Sequence, residues 1–270
     1  MTDSSPLPSS RPPSLRARLR GSDARLTGTF VSSPDPVLAE LLGQALDVIV
    51  VDMEHSAISL RDAHLLTLAA QGAGCAVLVR IPSDASELLT PLLDAGVDGL
   101  VVPRVESAAQ AEAFAARLRY PPDGTRGFGP RRANAYGRDA DYWPTARERI
   151  AFVAQIESAA GLEAVEQIAA VEDLDALLVG PADLSFELGL PLQPFAPEMR
   201  TAIARIERAA EAAGTAFALA SNVPPERVPE LVGDCRLLLQ STDLRLYAAA
   251  VDASAAGARE AFAALDAARA

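Results

Sequence analysis

Short aliphatic runs recur along the chain, each closed by polar or turn-forming residues. Between them lie stretches of about 10 to 20 residues whose apolar positions fall at helical spacing. Eight runs stand out: "LTGTFVS" (26–32), "DVIVVD" (47–52), "AVLVRI" (76–81), "DGLVVP" (98–103), "AFVAQIE" (151–157), "DALLVG" (175–180), "TAFALAS" (215–221) and "RLLLQST" (236–242). The helical stretches include "PVLAELLGQ", "SLRDAHLLTLAAQ", "SELLTPLLDAG", "AAQAEAFAARL", "GLEAVEQIAA", "PEMRTAIARIERAAEAAG" and an Ala-rich segment after Asp243. This alternation is that of a parallel sheet with covering helices, and eight units in one chain predict an α/β protein built as a (β/α)8 TIM barrel. A doubly wound open sheet is the alternative, but no G-x-G-x-x-G follows an early strand to mark a dinucleotide site.

The barrel is expected to span residues 13–270 as one domain. Residues 1–12, "MTDSSPLPSSRP", are rich in Ser and Pro and read as a disordered tail. The longest irregular segment, 119–150, carries five arginines before Trp143 and is expected on the catalytic face, because long loops in compact domains usually carry function.

Composition narrows the partners. A net charge of −12 leaves no basic footprint for nucleic acid or an anionic membrane surface, so a small polar ligand fits better. No apolar run reaches the length of a membrane span, and no h-region marks a signal peptide. Cys75 and Cys235 are too few and too far apart for a disulfide scaffold or a CxxC metal site, which fits a reducing cytoplasm. All 24 basic residues other than histidine are arginine. The absence of lysine excludes Schiff-base aldolase chemistry, pyridoxal phosphate chemistry and a Walker nucleotide loop.

In a barrel the chemistry sits at the C-terminal ends of the strands. There the second run ends in Asp52-Met53-Glu54-His55, the third in Arg80, the fifth in Gln155 and Glu157, and the sixth in Gly180-Pro181-Ala182-Asp183. A single carboxylate after a strand is ordinary, because strand ends meet water. Four strands aiming an acid-base pair, a fixed cation and two carboxylates at one mouth are not. Glu157 and Asp183, with no Cys or second His nearby, form an oxygen donor set that selects Mg²⁺ or Mn²⁺ over structural zinc. Arg80 can meet an oxygen that turns negative, and His55 can move protons if Asp52 or Glu54 fixes its tautomer. The Gly-Pro turn exposes backbone amides that can cradle a carboxylate, or Asp183 simply caps the next helix. His64 falls inside a helical stretch and is read as structural.

These segments resemble the HpcH/HpaI aldolase/citrate lyase family over about residues 14–266. The resemblance rests on "VVDMEH", "VLVRIP", "YPPDGTRG", "VAQIES" and "VGPADLS", in family order. It implies a barrel of phosphoenolpyruvate/pyruvate-domain type carrying a class II aldolase, which joins pyruvate and an aldehyde through a divalent metal (Mg²⁺, Mn²⁺ or Co²⁺). Carried over residue by residue, Glu157 and Asp183 bind the metal. Arg80 stabilises the enolate oxygen, and His55 with Asp52 forms the acid-base dyad. Gln155 contacts pyruvate, the amides of Ala182 and Asp183 hold its carboxylate, and Glu54 hydrogen-bonds near the metal waters. The family also implies a homo-oligomer, with a hexamer favoured, and the Ala-rich C-terminal helix can pack on a neighbour. A CoA-thioester carbon-carbon lyase of malyl-CoA or citryl-CoA type is the alternative activity. "RGFGPRRANAYG" resembles the sugar-acid-cleaving members, with Phe128 where Val is usual; Arg126, Arg131 and Arg132 would bind an acidic aldehyde or, as loop arginines more often do, meet solvent or a neighbouring subunit. Gln240 and Ser241 replace the family's small residue in the eighth run, which is expected to narrow or re-aim the pocket.

Overall fold

The computed structural model describes residues 13–21, 25–82 and 86–269, so the tail expected at 1–12 lies outside the described residues. Each aliphatic run forms a strand within a residue of its expected bounds: β1 (Leu26–Val31), β2 (Val48–Asp52), β3 (Ala76–Arg80), β4 (Gly99–Val102), β5 (Ala151–Ile156), β6 (Ala176–Val179), β7 (Ala216–Ser221) and β8 (Leu237–Thr242). The strands pair in parallel and in chain order, and β8 returns to β1 to close a barrel. The helices are α1 (Leu15–Arg20), α2 (Pro36–Gly43), α3 (Leu60–Gly72), α4 (Leu89–Ala95), α5 (Ala108–Leu118), α6 (Tyr142–Arg149), α7 (Ala159–Glu163), α8 (Val165–Ala169), α9 (Pro181–Glu187), α10 (Pro197–Ala213) and α11 (Asp243–Ala267). The fold is the expected (β/α)8 TIM barrel.

Alternate residues of each strand face inward, so a single strand supplies both cores. Val48, Val50, Leu78, Val153 and Leu178 fill the barrel, while Ile49, Val51, Val77 and Val79 join the layer under the helices. Leu15 and Leu19 of α1 belong to the inner cluster and close the end of the barrel where the strands begin. Ser14 caps α1 by accepting from the Ala17 amide at 3.2 Å.

Three even-numbered strands begin just after an aspartate that also ties down the preceding strand. Asp47 accepts from the Thr27 amide (3.0 Å), Asp98 from Val77 (2.8 Å) and Asp175 from Phe152 (2.9 Å). Arg18 pairs with Asp47, and Arg16 and Arg20 pair with Asp175, so α1 is bolted to the same ring of carboxylates. The "DVIV", "DGLV" and "DALL" starts are thus register marks. Each carboxylate satisfies an amide that would otherwise be stranded at the barrel's edge.

Two expectations need correction. The 119–150 segment does not lie on the catalytic face. It follows α5 and not β4, so it connects a helix to the start of β5 at the opposite end of the barrel. There Arg132 Nη1 donates to the Ala95 carbonyl at the end of α4, and Arg126, fully buried, pairs with Asp94 (3.2 Å) beneath the Tyr120 ring. Arg126 and Arg132 are thus structural anchors at the end of the barrel opposite the mouth. The Gln240 side chain also turns away from the barrel interior, donating to the Val223 carbonyl at 2.7 Å. Ser241 stands at the mouth in the left-handed region, with φ 65°.

Helix α11 differs from the other long helices. After Thr242 caps it and buried Asp243 takes the amides of Ser32 and Ser33, the rest of its 25 residues run almost entirely exposed.

Candidate active site

The inward stripe that fills the barrel turns polar at its C-terminal end. Val48 and Val50 lead to Asp52, Ala76 and Leu78 to Arg80, and Ala151 and Val153 to Gln155 and then Glu157. Period-two alternation makes these residues successors of core positions, which is why they are buried although polar or charged. In the β2/β3 register Asp52 stands opposite Arg80. The two form a bidentate pair, with Arg80 Nε to Oδ1 at 3.0 Å and Nη2 to Oδ2 at 2.7 Å. Asp52 also accepts the amides of Glu54 (3.1 Å) and His55 (3.2 Å). Although burial disfavours its charge, the Arg80 fork holds Asp52 below the ordinary carboxylate range. The Phe30 ring lies 4.8 Å from the guanidinium carbon.

The expected Asp52–His55 side-chain dyad is not formed. Asp52 meets His55 only through the backbone, and its oxygens are committed to Arg80. The imidazole is 63% exposed at the mouth, and its nearest carboxylate is Glu54, at 3.8 Å from Nε2. Glu54 is half-buried, stands 3.4 Å from Arg80 Nη1, and its Oε2 accepts no hydrogen bond. Burial raises its pKa against the pull of Arg80.

Glu157 is buried and held on both oxygens: the Arg104 amide donates to Oε1 (2.9 Å) and Gln155 Nε2 to Oε2 (2.5 Å). Burial first, then the charge of Glu54, push its pKa from 4.5 up to about 7. Gly180 makes the close packing possible, since a Cβ there would lie 2.7 Å from both Gln155 Nε2 and Glu157 Oε2. Asp183 is exposed on the first turn of α9, which has no side-chain cap, so the capping alternative is not realised. With Pro181 leading the helix, the Ala182 and Asp183 amides have no carbonyl within α9 to donate to. Asp183 stands close enough to Glu54 and Glu157 to raise the pKa of both.

This set fits a divalent cation. Three carboxylates repel one another at a half-buried mouth, one with an oxygen that accepts no hydrogen bond and meets Arg80 only at 3.4 Å, and the buried amide oxygen Gln155 Oε1 beside them also accepts none. A hard cation would relieve that repulsion and accept oxygen donors. Among the described residues no three His, Cys, Asp or Glu side chains are grouped tightly enough to complete a metal site alone, so substrate and water would supply the remaining positions. Sequence reasoning missed Arg104. It follows Pro103 in what reads as an ordinary turn, and its part is played by a backbone amide that no side-chain motif reveals.

Residues 26–229 match the HpcH/HpaI aldolase/citrate lyase family. The chain is 38% identical over 208 residues to the 2-dehydro-3,6-dideoxy-6-sulfogluconate aldolase of Pseudomonas putida, covering 76% of this chain and 80% of the relative. It is 40% identical over 210 residues to the hydroxypyruvate/pyruvate aldolase of Paraburkholderia phytofirmans, covering 75% and 80%. A crystal structure of an HpcH/HpaI aldolase/citrate lyase family protein from Burkholderia cenocepacia superposes with a TM-score of 0.84 at 32% identity, over 91% of this chain and 98% of that one.

Proposed function

The chain belongs to the HpcH/HpaI aldolase/citrate lyase family, and we propose that it is a class II aldolase that makes and breaks the C3–C4 bond of a 4-hydroxy-2-oxo acid, with pyruvate and an aldehyde as partners. The observation that carries this reading is the convergence of Arg80, Glu54, Glu157 and Asp183 on one barrel mouth, in a chain without the lysine an imine route needs.

Glu157 and Asp183 would hold a divalent ion, Mg²⁺, Mn²⁺ or Co²⁺. When bound, such an ion polarises the carbonyl of a 2-oxo acid. The rest of the chemistry belongs to the chain. Arg80 spends Nε and Nη2 on Asp52, which fixes the plane of its fork, and Nη1, paired with Glu54 only at 3.4 Å, would turn to the oxygen that gains charge as the enolate forms. A preorganised donor of this kind is worth about 3 to 4 kcal/mol in the transition state. The amides of Ala182 and Asp183 receive the substrate carboxylate, and Gln155 Oε1 offers a buried acceptor beside them. Exposed at the mouth, His55 carries the proton to and from the 4-hydroxyl, with Glu54 as its nearest acid. Asp52 serves this step by orienting Arg80 and the backbone of the Glu54–His55 turn.

The unpartnered α11 supports a homo-oligomer, for which we favour a hexamer. No helix among the described residues is long and apolar enough to cross a membrane, and the unpaired Cys75 and Cys235 suit a reducing cytoplasm.

The test is a panel. Protein stripped of metal is incubated with pyruvate and sugar-acid, hydroxy and simple aldehydes, with Mg²⁺, Mn²⁺ or Co²⁺ restored, and with a malyl-CoA ester as a separate substrate. Ion-dependent aldol product is expected. Turnover of the CoA ester alone, or no product with any ion, would overturn the proposal.

A further inference from the structure

Arg104 is the point where the segments bearing the Glu157 and Asp183 carboxylates are joined. It lies just beyond β4 with φ 49°, a left-handed conformation that is costly for a non-glycine residue. That conformation is held from both sides, for the next amide, Val105, donates to the Gln155 carbonyl at 3.2 Å. Gln110 Nε2 reaches the Arg104 carbonyl at 3.3 Å. The Arg104 amide then donates to Glu157 Oε1 at 2.9 Å. Its guanidinium reaches across the mouth to Glu187 Oε1 at 3.3 Å, with Glu106 at 3.1 Å as a local partner.

Glu187 ends the same short helix that carries Asp183, four residues earlier. Leu184 and Ser185 bury one side of α9, and because residues spaced by four lie on one helix face, a contact that holds Glu187 also restrains the exposed face from which Asp183 projects. One residue therefore fixes Glu157 through its backbone and Asp183 through α9. We propose that Arg104 is a positioning residue that sets the distance and orientation between the Glu157 and Asp183 carboxylates, and through them the affinity of the site for a divalent ion. The inference rests on the reading that those two carboxylates hold such an ion.

Charge alone gives the opposite expectation, which makes the idea testable. A guanidinium beside a cation site repels the cation, so removing it should tighten binding. A latch predicts weaker binding, of the 10- to 100-fold size seen when groups that orient metal ligands are removed. Mn²⁺ affinity is measured directly by electron paramagnetic resonance titration of wild type, Arg104→Gln, Arg104→Lys, Glu187→Gln, the Arg104→Gln/Glu187→Gln double variant and Glu157→Gln, with unfolding midpoints as the control for folding. Wild type is expected to bind and Glu157→Gln to lose binding. Arg104→Gln should bind about 10-fold or more weakly, the double variant no worse than the weaker single variant, and Arg104→Lys should recover part of the loss. Arg104→Gln binding as tightly as wild type, or tighter, overturns the latch while leaving the ion site standing. Binding by Glu157→Gln equal to wild type overturns the ion site and the latch with it.

Discussion

Asp52 and Arg80 occupy opposed positions on neighbouring strands and close a bidentate pair inside the barrel mouth, with 2.7 Å between Oδ2 and Nη2. Both are buried, so each is the other's condition for being charged there. Asp52→Ala would strand a guanidinium, a loss expected to cost about 3 kcal/mol of folding free energy in urea unfolding. His55→Ala should behave in the opposite way. Its imidazole is exposed, so stability should change by no more than about 0.5 kcal/mol, while the aldol rate should fall by about 100-fold or more. Equal stabilities for the two variants would contradict the geometry.

Glu157 should leave a pH signature in the metal-free protein. Its carboxyl titrates near 7 when folded, against 4.5 when free, because burial and Glu54 disfavour its charge. A raised folded value means that the group contributes stability fully below about 4.5, and that this contribution is lost as pH rises through about 7. Tm of the metal-free wild type should therefore fall behind that of Glu157→Gln between pH 5 and pH 8. Saturating Mg²⁺ or Mn²⁺ should reverse the order in that range. A gap independent of pH would show that Glu157 does not titrate there.

Much of this was legible in the sequence because it depends on local periodicity. Eight aliphatic runs gave eight strands, and the polar residues at their ends stand at the mouth because a strand's inward positions keep their alternation to its last residue. What was not legible depends on which side chains face one another across neighbouring strands. Asp52 pairs with Arg80 and not with His55 because β2 and β3 align those two positions, which no spacing along the chain reveals. The end of the barrel reached by 119–150 was legible, for the helical stretch "AAQAEAFAARL" already separates it from the fourth run, and loop length is a poorer guide than that order. Arg104 was invisible because its contact with Glu157 is made by a backbone amide.

Ser241 is a place where the chain carries strain without a compensating contact from its side chain. Its φ of 65° is comfortable for glycine and costly for serine. Ser241→Gly gains by relieving that strain and loses part of the gain to greater freedom of the unfolded chain. The expected net effect is stabilisation by about 0.5 to 1 kcal/mol, read as a small rise in Tm by calorimetry. A lower Tm would mean that the serine hydroxyl holds the mouth by a contact in solution.

Asp173 anchors the end of the barrel opposite the site. Arg16 Nη2 (2.9 Å), Arg147 Nε (3.0 Å) and Arg119 all converge on its buried carboxylate. Burial opposes its charge, yet the hydrogen bonds from Arg16 and Arg147 win and hold it below 3.8. A lowered value means stability that is present above the unfolded pKa and lost as pH falls through the folded one. Asp173→Asn should cost about 3 kcal/mol at pH 7. The gap from wild type in urea unfolding should narrow steadily below pH 4, and a gap unchanged at pH 3 would refute this account.

Helix α11 is about 38 Å long by its rise per residue, and its main contacts with the barrel are at β1 and β8. Leu244, Tyr247 and Val251, at three- and four-residue spacing, and then, eleven residues on, Phe262 and Leu265 fall on one face of it, all exposed in the single chain. A lone helix with such a stripe gains nothing from water and would fray, because helical stability in proteins comes from packing of the apolar face. A second copy of the chain offers the same stripe, so self-association buries both. Light scattering after size exclusion should therefore give an oligomer, with six times the 28.2 kDa chain mass as the favoured value. Tyr247→Asp combined with Val251→Asp should shift it to smaller species and open α11 to proteolysis, while the barrel keeps its far-ultraviolet dichroism. A wild-type monomer at micromolar concentration would refute the packing argument, because the stripe would then be stable in water by itself.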